Sequence, residues 1–327
     1  MSYISTVTAR QNLTKRPKLG ISACLLGNAI RFDGGHKRDP FLTDTLSQFI
    51  EWIPVCPEVE VGMTIPREPV RLINSRAGAH MIAERSGKDW THEMNKFART
   101  CARSLATLDL SGYIFKKNSP SCGIQRVRIY NSKGMPTRQG RGLFAAAVVD
   151  RFPLMPAEEE GRLQDPVLRE NFIERVFAYH RWQALTKSKS VRALIEFHTR
   201  HKFLLLAHSE RHYRRLGRLV ATATGASLAE SFETYGRKFM EALAVHATAK
   251  KHSNVLAHMM GYFSKELSTD ERKELTDLIG DFRRQLVPLI VPITLMRHYA
   301  KKYHVKYLHD QIYLEPSPKE LMLRNHV

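Results

Sequence analysis

Three of the four cysteines close short apolar runs. Residues 19–24 read Leu-Gly-Ile-Ser-Ala-Cys, 52–56 read Trp-Ile-Pro-Val-Cys, and 113–122 read Tyr-Ile-Phe-Lys-Lys-Asn-Ser-Pro-Ser-Cys. Each run starts apolar and breaks into Pro, Gly, Ser or Asn at or near its cysteine. Buried parallel strands that run into functional loops have this pattern. Ligands of open α/β sheets collect outside the carboxyl ends of the strands, so Cys24, Cys56 and Cys122 can converge on one point. Soft thiolates suit zinc or iron–sulfur better than magnesium or manganese. The expectation is an iron–sulfur cluster held at three corners, its fourth iron open to a substrate. A structural zinc wants a fourth protein ligand, for which His36 and His80 are available. The spacing alone matches no zinc-finger pattern, and three ordinary buried thiols are the remaining reading. Cys101 lies in a helical pattern beside Phe97, Leu105 and Leu108. It reads as a small buried hydrophobe outside the site.

The elements that must position these thiols are legible around them. Strands are expected at 19–24, 53–56, 112–115, 127–129 and 145–149, with helices at 40–51 and 91–108. Strands alternating with helices predict βαβ units and a mostly parallel, Rossmann-like sheet. Pro153, Pro156 and the run Glu158-Glu159-Glu160 mark a boundary near residue 160. From Pro166 onward apolar residues recur at three- and four-residue spacing, which predicts an all-α domain. Helices are expected at 166–185, 190–209, 213–224, 228–247, 255–266, 269–285 and 289–303, with Ser190 and Thr269 as caps. The division predicted is a loose leader at 1–18, an α/β domain at 19–160 and an all-helical domain at 161–327.

The chain has 327 residues, 43% hydrophobic and 25% charged, as in ordinary globular domains. No apolar run approaches the ~20 residues of a membrane span, and residues 1–18 lack the apolar centre of a secretory signal. A cytoplasmic location is expected. Four widely spaced cysteines, all before residue 123, do not read as a disulfide framework. The formal charge of +19, from 51 Lys or Arg against 32 Asp or Glu, points to a polyanionic partner and first to nucleic acid.

Five segments in order resemble the thiouracil desulfidase family. They are Ser22-Ala-Cys24-Leu-Leu-Gly27, Arg31-Phe-Asp33-Gly34, Val55-Cys-Pro-Glu58, Pro66-Arg67 and Lys117-Asn-Ser-Pro-Ser-Cys122-Gly123. The resemblance covers residues 18–150. The second half, with Lys202-Phe-Leu-Leu-Leu-Ala-His208-Ser and Tyr213-Arg-Arg-Leu-Gly217, is similar to the helical domain often fused to that family in bacterial desulfidases of tRNA 4-thiouridine. The resemblance implies a 4Fe–4S cluster on Cys24, Cys56 and Cys122. It also implies a non-redox reaction, in which the thiocarbonyl sulfur meets the free iron and water replaces it on carbon. A glutamate and a serine complete the implied site. Ser119 matches the serine; Glu58 matches the glutamate, with Glu60 close by as the alternative.

Other cations await a role. Arg31, Lys37, Arg67 and Arg71 are candidates for the phosphates flanking a nucleotide. Residues 175–260 hold 15 Lys or Arg against 5 Asp or Glu. Within this block Arg200, Lys202, Arg211, Arg214 and Arg215 form the expected RNA-binding group, since a basic helical face holds RNA by shape and charge. The predicted activity is desulfuration of 4-thiouridine in tRNA. The alternatives are a desulfidase of free thiouracil or thionucleosides, and a metal-bearing RNA-binding protein without turnover.

Overall fold

The computed structural model describes residues 15–327 except 76, 77, 188 and 264. Residues 1–14 of the expected leader lie outside the described residues, and Lys18 already begins the first strand. The chain divides between Asp165 and Pro166 into two compact units.

The first unit runs β1 (Lys18–Ser22), β2 (Glu51–Val55), a single turn α1 (Pro57–Glu60), β3 (Val70–Ser75), β4 (Gly78–Ala83), α2 (Thr91–Leu105), β5 (Leu110–Phe115), β6 (Val127–Tyr130), β7 (Pro136–Gly140), α3 (Leu143–Arg151) and β8 (Ala157–Glu159). Four strands build one fully parallel sheet in the order β2-β1-β5-β8. Every residue of β5 is buried, as its unbroken Leu-Ser-Gly-Tyr-Ile-Phe run demands of a strand covered on both faces. Pro54 has no N–H to give and sits on the edge strand β2, where none is needed. The order first-strand-second, then third and fourth outward, reverses direction between β1 and β5. Such a reversal opens a crevice at the carboxyl ends of the two strands.

A second, mixed sheet in the order β4-β3-β6-β7 lies outside the sequence-based expectations except for β6. Two further expectations are corrected. Residues 145–149 are helix, not strand: Phe144, Ala145 and Val148 form the buried stripe of α3, and Phe144 stacks on Phe97 of α2 at 6.1 Å. A short apolar run does not declare its period. Residues 40–51 hold no continuous helix, only turns at Phe41–Thr45 and Leu46–Gln48 before β2 begins. There Ser47 Oγ donates to the Leu42 carbonyl and accepts the Trp52 indole N–H, so side-chain bonds compete with a helical ladder.

The second unit is helical throughout its described residues: α4 (Pro166–Thr186), α5 (Val191–Arg200), α6 (Lys202–His208), α7 (Glu210–Thr222), α8 (Leu228–Ala244), α9 (Ala249–Met260), α10 (Thr269–Arg283), α11 (Ile290–Lys302) and α12 (Lys306–His309). The single helix expected at 190–209 is two, broken at His201. Ser190 caps α5 by accepting the Ala193 N–H. The cap of α10 is Ser268, one residue before the expected Thr269. This shift brings Glu271 to the third helical position and completes a capping box. An aromatic core centres on Trp182, stacked on Tyr235 at 5.3 Å. Gly236 is required beside it, because a Cβ there would meet Trp182 Nε1 at 2.6 Å. No helix of the described residues is long and apolar enough to cross a membrane.

Candidate active site

Each cysteine leaves a parallel strand at its carboxyl end. Cys24 lies in the tight turn Ala23–Leu26 that follows β1, and Gly27 closes that turn with φ 98°, a left-handed conformation that glycine adopts without strain. Cys56 is the N-cap of α1, whose first helical position is Pro57. Cys122 ends the loop after β5. The three cysteines line one cavity of about 530 Å³, together with Glu58, Ser119 and Ser121.

The loop 116–123 is fixed from two sides. Gly142 and the start of α3 hold its carbonyls: Gly142 N donates to Gly123 O at 2.8 Å, Leu143 N to Pro120 O at 3.1 Å and Ala145 N to Ser121 O at 3.1 Å. Helix N-termini have unspent N–H groups, and this loop uses them. From the other side Glu160 accepts from Lys117 N at 2.7 Å and Lys116 Nζ at 2.6 Å, while Glu159 accepts from Ile124 N at 2.8 Å. The acidic run that marks a boundary in the sequence is therefore the edge strand β8 and the residue after it, which clamp the cysteine loop.

Glu58 points into the cavity and Glu60 is exposed outside its lining. Arg67 Nε and Nη2 both donate to Glu58 Oε2, at 3.1 and 2.6 Å, and the two side chains are only 6% and 13% exposed. Arg67 also donates to the carbonyls of Ile30 and Thr64. Its donors are spent inside the fold, so it is corrected from a phosphate candidate to the group that orients Glu58. The other carboxylate oxygen accepts from Ser121 Oγ at 2.7 Å, and Ser121 Oγ lies 2.9 Å from Ser119 Oγ. Ser119 Oγ in turn accepts the Cys122 N–H at 3.1 Å. Glu58, Ser121 and Ser119 thus form one hydrogen-bonded chain along the cavity wall. Ser121 went unread in the sequence, although the alternation Ser-Pro-Ser-Cys was its signal.

Burial pushes all three thiols above the ordinary cysteine range, Cys24 to about 11, with the neighbouring Cys56 adding to the effect. Thiols so placed stay protonated unless a cation displaces the proton. Among the described residues no three His, Cys, Asp or Glu lie as the ligands of a single metal ion would. Thiolates on one zinc sit roughly 4 Å apart; a cluster keeps its ligands wider, by the breadth of its own inorganic core. The all-sulfur donor set and the room in front of it fit a cluster.

Of the remaining cations, Arg31 pairs with Asp33 at 3.3 Å and Lys37 is exposed at the cavity. Arg71 lies over the Tyr130 ring at 5.2 Å. Cys101 lies on α2, outside the cavity lining. In the second unit Arg211, Arg214 and Arg215 are exposed together on α7, Arg214 also pairing with Glu210. Arg200 and Lys202 stand apart from them in their bonding. Arg200 donates to the Asp310 carbonyl, and Lys202 donates to Tyr262 OH at 3.0 Å within a ring of Phe203, Tyr262 and Tyr307. His198, His201, His208 and His252 are buried, each with an internal partner.

Comparison with known proteins agrees with this division. Residues 19–160 match the family described as 2-thiouracil desulfurase, and residues 202–318 match a protein family of unknown function. The chain is 35% identical over 153 residues to the uncharacterized protein YbgA of Escherichia coli (strain K12), covering 46% of this chain and 90% of that one. It is 32% identical over 109 residues to the uncharacterized protein YbbK of Bacillus subtilis (strain 168), covering 32% of this chain and 71% of that one. Among solved structures, the 4Fe–4S-dependent thiouracil desulfidase TudS aligns at 32% identity over 46% of this chain and 94% of its own, with a TM-score of 0.37. Through residues 19–160, the chain belongs to the 2-thiouracil desulfurase family.

Proposed function

We propose that the protein removes sulfur from thiolated uracil without redox chemistry, and that its substrate is 4-thiouridine in tRNA. The observation that carries the reading is the meeting of Cys24, Cys56 and Cys122, from three strand ends, in one cavity with Glu58 and Ser119. The three cysteines would hold a 4Fe–4S cluster, which when bound supplies a Lewis acid toward the thiocarbonyl sulfur. The net reaction is C=S plus water giving C=O plus hydrogen sulfide, so two protons move from the water to the sulfur and no electrons are exchanged.

The chain's own residues handle those protons. Arg67 holds one oxygen of Glu58, and the other oxygen faces Ser121. Glu58 can therefore take a proton from a water in the cavity at that second oxygen. Ser121 and Ser119 can pass it on, since each hydroxyl both donates and accepts. A positioned acid–base group of this kind contributes about 100-fold or more to the rate. The exposed arginines of α7 and the charge of +19 support a polyanionic substrate over a free base.

Full-length protein purified without oxygen tests the reading. Iron and sulfide in cluster proportion, visible colour, and release of sulfide from 4-thiouridine in tRNA are the expected result. A colourless protein holding one tetrahedral zinc would overturn the cluster. Colour without turnover of any thiolated uracil would overturn the enzyme.

A further inference from the structure

The helical unit holds a cavity of about 160 Å³, and every residue that lines it belongs to that unit. The charges along it are spent on one another. Glu174 accepts from His208 Nε2 at one oxygen and from Arg324 Nη2, at 3.0 Å, at the other. Glu170 accepts from Arg324 Nε at 3.2 Å and from His326 Nε2 at 2.8 Å. The second nitrogen of His208 faces the Val245 carbonyl. A charged ligand would meet no unmatched countercharge among these groups, and its desolvation would go uncompensated.

The open atoms are neutral. Asn171 of α4, only 8% exposed, donates from Nδ2 to the Leu243 carbonyl at 3.0 Å. A carbonyl only accepts, which fixes the amide's orientation and leaves Oδ1 with no partner among the described residues. His252 of α9, 9% exposed, meets the Tyr313 hydroxyl at 2.9 Å through Nδ1. Burial pushes the imidazole down to about 3 from 6.5, so the ring is neutral. The buried Tyr313 hydroxyl has His252 as its one partner among the described residues. Were Nδ1 to carry the imidazole proton, the phenol's own proton would have no acceptor. The phenol therefore donates, and the imidazole proton sits on Nε2. That Nε2–H has no partner among the described residues either. Neither Oδ1 nor Nε2 is sealed within the fold, and both side chains line the cavity.

The cavity thus offers one acceptor and one donor between apolar walls. Val167, Val287, Leu289 and Phe282 supply the walls, and the Phe282 ring meets His252 edge-on at 6.2 Å. An N–H and a C=O in one flat frame answer both open atoms, and an amide within a ring has both. The volume is below the ~300 Å³ of the smallest drug-sized sites, so it suits a single ring. We propose that this cavity binds a small neutral cyclic amide, the class to which uracil belongs, its N–H donating to Asn171 Oδ1 and its carbonyl accepting from His252 Nε2. The site stands on the helical unit alone and needs neither the cluster nor the desulfuration.

The experiment measures hydrogen exchange and calorimetric binding of the full-length protein with uracil, and with orotate as its charged counterpart. Uracil should slow exchange at 167–174 and 249–256, and orotate should bind at least tenfold more weakly. Asn171→Leu removes the acceptor and should weaken uracil at this site by about tenfold. Ala247→Leu fills the cavity while leaving every hydrogen bond named above in place, and should abolish the protection with the thermal midpoint unchanged. No protection of the helical unit at millimolar uracil would overturn the proposal. Equal protection in Ala247→Leu, or equal affinity for orotate, would overturn it as well. Protection confined to the cysteine loops would overturn it and leave the desulfidase reading in place. Protection of 167–174 and 249–256 in a protein that turns over no thiolated uracil would keep this site and sink that reading.

Discussion

At the scale of single residues, the site depends on a carboxylate that is held at both oxygens. Glu58 is nearly enclosed and paired with Arg67, so the two substitutions separate chemistry from support. Glu58→Gln keeps the shape and a hydrogen bond from Ser121, yet gives up the proton acceptor. Turnover of a thiolated nucleoside should fall by about 100-fold or more with iron content unchanged. Arg67→Ala leaves a buried carboxylate without its cation and should cost about 3–5 kcal/mol of stability, read by denaturant unfolding. Near-normal rates in Glu58→Gln would move the acid–base role elsewhere. The cysteines divide as cleanly: Cys24→Ala, Cys56→Ala and Cys122→Ala should each lose colour and activity. Cys101→Ala, on α2 and away from the cavity, should keep both. Loss of the cluster in Cys101→Ala with retention in one of the others would undo the assignment.

At the scale of elements, the loop that carries Ser119, Ser121 and Cys122 owes its shape to neighbours, not to its own sequence. Glu160, beyond β8, accepts from Lys116 and Lys117, and the start of α3 takes the loop's carbonyls. Glu160→Ala should free this loop without touching any proposed ligand. Faster hydrogen exchange at 116–122 and quicker bleaching of the cluster in air are the expected signs. Unchanged exchange there would show that the α3 contacts suffice. In the helical unit the capping box at Ser268 and Glu271 closes two N-terminal N–H groups of α10. Ser268→Ala should lower stability by about 1 kcal/mol, measured by denaturant unfolding.

At the scale of the molecule, the second unit has a pH response set by its buried histidines and one carboxylate. In the second unit burial depresses His198 to about 4 and His252 to about 3, from 6.5. Both are neutral when folded, so unfolding takes up protons as the pH falls below 6.5. Their contribution to stability is full above that value and is lost as the pH drops toward 4 and then 3. Burial disfavours ionised Glu174, but the His208 and Arg324 charges overcome it and hold the carboxyl at about 2. It adds a further loss below 4.5. Thermal midpoints of the full chain should fall steadily with acidification from pH 6.5, and a midpoint that rises over that range would refute the assignment. If the arginines of α7 hold RNA, reversing Arg211, Arg214 and Arg215 together should weaken tRNA binding and flatten its salt dependence. Turnover of a free thiolated nucleoside should be untouched. Unchanged affinity and salt slope would remove them from the interface.

Much of this protein is local, and local features are legible in sequence. The cysteine-ended runs announced β1 and β5 because a strand buried on both faces is apolar along most of its length, and the edge strand β2 through its apolar stretch before Cys56. The helical unit declared itself through three- and four-residue spacing, down to Ser190 as a cap. The three cysteines that meet in the cavity were candidates because loops after parallel strands collect ligands, whereas Glu58 and Ser119 were named through the resemblance to the desulfidase family. What failed was whatever depends on a partner far along the chain. An apolar run at 145–149 became helix because α2 offered a face for it. The Glu158-Glu159-Glu160 run became part of a strand edge because the Phe115 carbonyl accepts the Glu160 N–H and the cysteine loop needed acceptors. Glu58 could be told from Glu60 only when β2 and its turn had set which carboxylate faced Ser121 and Arg67. Residue type and spacing determined which chemistry was possible. Only the tertiary structure decided which groups face one another, because hydrogen bonds and ion pairs act over a few ångströms in space, whatever the separation along the chain.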